Sequence, residues 1–365
     1  MLANYSKIGS YSEDDVKFLL KDLSDVQLEG STELREKRIQ SGEHYSESLP
    51  VEYQPPKEYI ELFHQTLQDY KQQVALQVGI VAEKILEQKG KNTILVSLAR
   101  AGTPIGILIK RYLQWNYDIN LPHYSISIIR GRGIDTNAIK YILENHPEGK
   151  IQFIDGWTGK GAISIELTKS CEELRTNFGI DLDDTLAVLA DPGHCTTLFG
   201  TRDDFVIPSA CLNSTVSGLV SRTVLNQKYI GPNDFHGAKF YQELLEDDLS
   251  NEYLAVITNE FPNIKEEITQ EMIQSQGSLE ATFSGFETVK RIMDEFQIND
   301  INFVKPGVGE TTRVLLRRVP WKILVKDFDS PYMKHILMLC KERNVSVELY
   351  PHMEYTCCGL IKNVR

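Results

Sequence analysis

A carboxylate and several glycines follow one apolar run of the sequence at the spacing of a phosphate-binding turn. The run over residues 151–154 leads into Asp155, Gly159 and Gly161 follow, and an amphipathic segment begins at Ala162. Glycines allow a tight turn and a close backbone approach, and the N–H groups that start a helix face an anion. The spacing differs from a Walker A loop, which needs glycine at 155 and Ser or Thr at 161. The residues expected to hold a phosphate are Thr158, Gly159, Lys160, Gly161 and Ala162. A purely structural strand-turn-helix is the alternative.

A second turn of the same design lies about fifty residues upstream. The apolar run over residues 94–98 leads into Arg100-Ala101-Gly102, and a helical pattern follows. Two anion-binding loops suggest a ligand that is phosphorylated at two ends. Between them, Arg130 and Arg132 lie in a glycine-rich segment that could neutralise negative charge, with a solvated turn as the alternative.

The order of these three segments resembles the type I phosphoribosyltransferases. The resemblance implies that residues 100–102 hold the pyrophosphate of phosphoribosyl pyrophosphate and that Arg130 and Arg132 belong to a closing lid. It also implies that Asp155 holds the ribose and a Mg²⁺ ion, during transfer between phosphoribosyl pyrophosphate, or a nucleotide-like compound, and a base. Ile154 stands where many members carry a second carboxylate, so a domain that senses nucleotides or RNA without catalysis is an alternative.

Two Cys–His pairs offer a different chemistry. A cysteine nucleophile needs a lowered pKa, a histidine within hydrogen-bond reach and a third group that orients the histidine. Cys195 beside His194, or Cys211 with His236, are the candidate pairs for a cysteine protease or hydrolase. The six cysteines show no Cys-x-x-Cys spacing, so buried free thiols are expected.

Composition and charge bound the remaining possibilities. The 365 residues are 41% hydrophobic and 25% charged, which is ordinary for a soluble protein of two or more domains. No apolar run approaches the roughly 20 residues of a membrane span, and the polar start lacks a signal-peptide core. We therefore expect a cytoplasmic protein without a membrane partner.

Residues 301–365 hold 11 Lys and Arg against 6 Asp and Glu, although the whole chain carries a net charge of −12. A basic tail on an acidic body is typical of a module that binds a polyanion.

The elements that must position these residues follow a regular order. Strand and helix patterns alternate over residues 91–225, which predicts a parallel sheet with helices on both faces and a ligand at the carboxyl ends of the strands. A capping pattern at Ser12 and a helical stretch over residues 59–89 predict an N-terminal helical hood over residues 1–90. We expect the phosphoribosyltransferase-like core at 91–258, a helical connector at 259–284 and a small α/β domain at 285–365.

The tail resembles the Pelota and L7Ae type of RNA-binding domain. The segment that carries the resemblance is a glycine-rich turn into a helix, Gly309-Glu310-Thr311-Thr312-Arg313. The resemblance implies that these five residues read structured RNA. An ordinary helix start with a basic face is the alternative.

Taken together, the two domains resemble the StiP family of proteins found with tellurium-resistance and stress-response gene clusters. Residues 42–47, 209–214 and 234–239 also match that family. Some members of the family are described as cysteine proteases. The main expectation from the sequence is a phosphoribosyltransferase-like enzyme coupled to an RNA-binding domain, and the cysteine protease is the alternative.

Overall fold

A computed structural model describes residues 5–30, 42–274 and 280–361 of the protein. The strands are β1 (Lys17–Phe18), β2 (Lys21–Asp22), β3 (Glu29–Gly30), β4 (Leu49–Pro50), β5 (Thr93–Leu98), β6 (His123–Ile126), β7 (Ile128–Ile129), β8 (Gly133–Ile134), β9 (Lys150–Ile154), β10 (Leu186–Ala190), β11 (Leu198–Thr201), β12 (Gly237–Ala238), β13 (Val304–Pro306), β14 (Pro320–Val325), β15 (Ser346–Leu349) and β16 (Cys357–Ile361). The α-helices are α1 (Lys57–Lys89), α2 (Gly102–Tyr117), α3 (Thr136–Asn145), α4 (Ala162–Phe178), α5 (Ser250–Thr258), α6 (Phe261–Gln274), α7 (Ser284–Glu295), α8 (Val308–Arg317) and α9 (Lys334–Glu342).

The main sheet has six strands in the order β1-β6-β5-β9-β10-β11, and all of its pairings are parallel. Successive side chains of a strand point to opposite faces. Leu95 of β5 therefore joins the core formed with α1 and α2, whereas Val96 joins a second core formed with α3 and α4. The predicted parallel sheet with helices on both faces is confirmed.

The predicted N-terminal helical hood is wrong for the described residues 5–30, where the structure has short strands instead of a helix. Lys17 and Phe18 form β1 and pair with β6 at the edge of the main sheet. Phe18 and Leu20 pack in the core on one face, and Leu19 packs in the core on the other. This alternation has a period of two. The five-residue run at 16–20, which follows the capping pattern at Ser12, was too short to distinguish a strand from a helix.

The two long helical segments of the sequence are layers of the core. The predicted helix over residues 59–89 corresponds to α1, whose Val74, Val78 and Val81 are buried. Helix α6, which we expected as a connector, packs on α1 so closely that a Cβ at Gly79 would lie 2.1 Å from Cδ1 of Ile268. The part of the expected connector at 275–279 lies outside the described residues. Within the described ranges, no helix combines the length and the apolar character needed to cross a bilayer.

The C-terminal domain has a four-stranded sheet in the order β13-β16-β14-β15, with β14 and β15 parallel and the other pairs antiparallel. This domain is fixed to the first one through Asp204, whose carboxylate accepts the backbone N–H groups of Val308 and Thr356 at 2.8 Å each. One apolar cluster also runs through both domains and includes Ile207, Val308 and Leu315.

Candidate functional site

A cavity of about 430 Å³ lies where the carboxyl ends of the central strands meet the C-terminal domain. One wall is formed by the loops that follow β5 and β9. The opposite wall is formed by Lys305 and Pro306 of β13 and by the side chains of α8. We call this space the interdomain cleft.

The structure brings both predicted anion loops to the interdomain cleft. They meet because Gly102, at the start of α2, has no side chain: a Cβ there would lie 2.4 Å from the carbonyl oxygen of Ile154. The loop after β9 runs beside β10, since the N–H of Thr158 donates to the carbonyl of Ala190. Gly161 closes the loop with a φ of 82°, a conformation that favours glycine, and α4 begins at the next residue. Arg100, Ala101 and the five residues at 158–162 all line the cleft.

Asp155 lies at the end of β9 and faces the cleft. Burial raises the pKa of the Asp155 carboxyl to about 6, although the N–H of Gly156 and the guanidinium of Arg313 oppose this shift. Among the described residues there is no group of three or more His, Cys, Asp or Glu side chains that could hold a metal ion.

The two arginines of the predicted lid are separated. Arg130 lines the cleft, but Arg132 forms an ion pair with Glu47 at 3.0 Å. Their segment is the short β7–β8 hairpin, and the carboxylate of Glu166 accepts the N–H groups of Gly131 and Gly133. Arg132 is therefore directed toward the N-terminal segment.

Lys160 connects the glycine loop to the C-terminal domain. Its Nζ donates to the carbonyl oxygens of Ile301 at 2.5 Å and Val304 at 3.3 Å. Burial, together with the neighbouring Lys305, lowers the pKa of Lys160 to about 8. The loop that resembled a phosphate cradle is thus partly occupied by a contact between the two domains.

The segment predicted to read RNA lies at the start of α8 and faces inward. Thr311 and Thr312 are fully buried, and Gly309 lies against the ring of Trp157. Glu310 and Arg313 line the cleft, and the Arg313 guanidinium lies 4.8 Å from the centre of the Trp157 ring. Of the five residues expected to bind RNA, only Glu310 and Arg313 therefore direct their side chains into the interdomain cleft.

Cys195 lies on the loop after β10, directly behind the glycine loop. Its Sγ is 3.6 Å from the carbonyl oxygen of Gly159, and its N–H donates to the carboxylate of Asp191 at 2.8 Å. Burial and the charge of Asp191 raise the pKa of the Cys195 thiol to about 12. The ring of its neighbour His194 faces Glu354, with Nε2 4.0 Å from a carboxylate oxygen.

Cys211 and His236 do not form the expected pair. The Sγ of Cys211 lies 3.6 Å from Oγ1 of Thr66, and burial raises the pKa of this thiol to about 11. The ring of His236 hydrogen-bonds Ser127, and its backbone N–H donates to Asp135. In the described conformation Cys211 and His236 therefore have different partners.

Two residues of the site were not found from the sequence. Lys305 lines the cleft, and Asp204 fixes the two domains together. The positive charge of residues 301–365 was the one available signal for Lys305. The positions of both depend on contacts between domains that are distant in sequence.

Comparisons with known proteins give the family of both domains. Residues 9–258 match the family described as "Tellurite-like stress resistance cysteine protease StiP", and residues 283–363 match the Pelota RNA-binding domain. The chain is also similar to a protein of Acinetobacter baylyi named "Cysteine protease StiP". The two are 34% identical over 345 residues, which cover 91% of this chain and 88% of the relative.

These matches contradict the expected phosphoribosyltransferase activity, because both the family and the relative are named as cysteine proteases. The structure gives physical reasons as well. Lys160 binds carbonyl groups of the C-terminal domain, Arg132 is paired with Glu47, and α8 fills one side of the cleft. Phosphoribosyl pyrophosphate and the Mg²⁺ ion were expected only as parts of that reaction. The matches over most of its length establish that the chain belongs to the StiP family and carries a Pelota-type domain at its C-terminus.

Proposed function

We propose that this protein is a cysteine peptidase whose nucleophile is Cys195. The observation that carries the activity is the family match over residues 9–258, together with the name of the relative. The matched range contains Cys171, Cys195 and Cys211. Cys171 is a residue of α4 that packs in the core, and Cys211 packs against Thr66. The sequence neighbour of Cys195, His194, faces the carboxylate of Glu354, and this favours Cys195 among the three.

The chemistry assigns one role to each of these groups. The imidazole of His194 takes the thiol proton, and the thiolate of Cys195 adds to the carbonyl carbon of a peptide bond. The amine leaves with the proton from the imidazolium, and a thioester remains on the sulfur. Water then cleaves the thioester and returns the proton to sulfur. Glu354 is a positioning residue in this scheme, because its carboxylate orients the imidazole.

The described conformation is a latent state of such an enzyme. His194 faces Glu354 while the thiol faces the carbonyl of Gly159, so the base and the nucleophile are engaged separately. The start of the C-terminal domain covers the loop: the N–H of Phe283 donates to the carbonyl of His194 at 2.9 Å. The hydroxyl of Tyr355 donates to the carbonyl of Gly159 at 3.1 Å. Activity therefore requires these contacts to open and the imidazole to turn toward the thiol.

A second function, RNA binding, is favoured by the match of residues 283–363 to the Pelota RNA-binding domain. The positive charge of residues 301–365 supports it, because phosphate contacts dominate the affinity of proteins for nucleic acids. We propose RNA as the macromolecular partner of the C-terminal domain.

Hydrolysis of fluorescent casein by the full-length protein tests the peptidase. The measurement uses a Phe283→Ala background, in which the loop of Cys195 is less covered, and compares Cys195→Ser with the matched control Cys211→Ser. We expect Phe283→Ala to hydrolyse casein, Cys195→Ser to abolish this activity and Cys211→Ser to retain it. Loss with Cys211→Ser alone would overturn the choice of nucleophile. If the Phe283→Ala protein neither cleaves casein nor reacts with iodoacetamide at Cys195, the peptidase proposal is wrong.

A further inference from the structure

The interdomain cleft has a charge that its own residues do not balance. Arg100 and Lys160 reach it from the first domain, and Lys305, Arg313 and Arg317 reach it from the second. Arg130 also lines it, and two carboxyl groups, Asp155 and Glu310, face these cations. Six cations and two carboxyl groups give a formal charge of +4 when all are ionised.

Neutral oxygen atoms hold several of these cations in place. Arg317 donates to Oδ1 of Asn213 at 2.5 Å and to the carbonyl of Cys211 at 2.9 Å. Arg100 donates to the carbonyl of Val220 at 3.0 Å. Such bonds fix the direction of a cation without cancelling its charge. The two arginines are thus already positioned for an anionic ligand.

The crowding of these cations is unfavourable without an anion. Burial, together with the charges of Arg313 and Arg100, lowers the pKa of Arg317 to about 10. Burial raises the pKa of Glu310, but Arg313, Lys305 and Lys160 lower it more, so this carboxyl is ionised and one anion already serves several cations. A group with several negative charges would relieve the repulsion.

The size of the interdomain cleft, and the domains that form its walls, restrict the class of ligand that can bind there. A cavity of about 430 Å³ lies within the size range of pockets that bind small molecules. An A-form duplex is too wide to enter a space of this size, so only unpaired nucleotides fit. One whole wall belongs to the RNA-binding domain, through Lys305, Glu310 and Arg313.

We propose that the interdomain cleft binds a single-stranded segment of RNA, with its phosphates between the cations of the two domains. The proposal rests on RNA binding by the C-terminal domain and is independent of the peptidase activity. It places the RNA site between the domains, whereas the resemblance had implied only that residues 309–313 read structured RNA.

Fluorescence anisotropy with the full-length protein tests this site. The probes are a labelled eight-nucleotide single-stranded RNA and a labelled sixteen-base-pair RNA duplex, each measured at several salt concentrations. We expect the single strand to bind more tightly than the duplex. Lys305→Gln and Arg313→Gln should each weaken the single strand by about tenfold, and each should reduce the slope of log affinity against log salt by about one. The control is Lys290→Gln on the exposed side of α7, which should change the affinity less than about twofold.

The possible outcomes distinguish RNA binding in the interdomain cleft from RNA binding elsewhere on the protein. If the protein binds neither probe, RNA binding itself is wrong and this site with it. If it binds RNA but the two cleft variants match the control, the RNA lies elsewhere. Uridine monophosphate is added as a competitor at the concentration of strand that half-saturates the protein. If it displaces the strand at that concentration, the ligand is a small phosphate compound. Thermal unfolding of each variant, unchanged within a few degrees, excludes loss of folding as the cause.

Discussion

The carboxylate of Asp191 accepts the backbone N–H of Cys195 at 2.8 Å and also the N–H of Thr196 at 3.1 Å. Its side chain is fully buried, and it forms an ion pair with Arg202 and a hydrogen bond with Thr158. This one residue therefore connects β10, the loop of the candidate nucleophile and the glycine loop. It also places a negative charge close to the thiol.

Asp191→Asn should make Cys195 more reactive. Burial is the main reason that the pKa of the thiol is raised, and the charge of Asp191 is the next. The amide keeps an oxygen acceptor and removes the charge, so the pKa of Cys195 falls. The midpoint of iodoacetamide alkylation against pH, measured on the peptide that contains Cys195, should move down by about one pH unit or more. The control is Asp181→Asn, at an exposed position. An unchanged midpoint in Asp191→Asn would contradict this role.

Phe283→Ala should expose the same thiol by a different route. A Cβ at Gly161 would lie 2.8 Å from the Phe283 ring and 3.1 Å from Sγ of Cys195, so the ring and the thiol pack around one glycine. Removing the ring opens this side, and alkylation of Cys195 at a fixed pH should accelerate about fivefold or more. Phe286→Ala, in the first turn of α7, is the matched control. Equal rates in the two variants would mean that Phe283 does not cover the thiol.

Asp204→Ala should weaken the attachment of the C-terminal domain. The buried carboxylate accepts two backbone N–H groups, and its loss leaves both without that acceptor. At about 1–3 kcal/mol for each buried group, the free energy of unfolding should fall by about 2–6 kcal/mol. Urea unfolding measures this change, with the exposed neighbour Asp203 replaced by alanine as the control. A loss no larger than that of Asp203→Ala would show that Asp204 does not join the domains.

Asp155→Asn should change how stability depends on pH. The pKa of the Asp155 carboxyl is raised from an ordinary value of 3.8 to about 6, mainly by burial, so the folded protein binds a proton more tightly than the unfolded chain. Its contribution to stability is present below about pH 4 and is lost as pH rises through about 6. Relative to the wild type, the variant should therefore gain stability between pH 4 and 7.

The gain expected for Asp155→Asn is up to about 3 kcal/mol, at about 1.4 kcal/mol per pKa unit. Melting temperatures of both proteins from pH 4 to pH 8 measure it, with Asp181→Asn as the exposed control. A constant difference between the melting temperatures of the wild type and Asp155→Asn across this range would rule out the raised pKa.

The sequence predicted the central sheet because its strands are short apolar runs between clear turn and helix patterns. The apolar runs at 94–98 and 151–154 correspond to β5 (Thr93–Leu98) and β9 (Lys150–Ile154), and β10 lies within the alternating stretch over residues 91–225. It failed at β1, where a five-residue run fits a strand and a helix equally well. A pairing with β6, which lies about a hundred residues away, decided the outcome.

The site was predicted only in part, for a similar reason. The loop residues at 100–101 and 158–162 lie at the ends of predicted strands, so their convergence followed from the topology of a parallel sheet. The burial of Thr311 and Thr312, and the use of Lys160 as a contact between domains, depend on how the C-terminal domain docks. No local pattern in the sequence encodes that docking. The two loops resemble those of the type I phosphoribosyltransferases, but this resemblance did not identify the reaction. Function belongs to the site rather than to the fold.

The apolar cluster that runs through both domains has a practical consequence for handling the protein. Val308 and Leu315 of α8 are fully buried in the same cluster as Ile207 and Phe205 of the first domain. Cutting the chain near residue 283 would expose apolar surface on both fragments, and each fragment produced alone should tend to aggregate. Domain-deletion phenotypes in cells would then report misfolded protein as well as the missing activity, and point substitutions are the safer genetic tool.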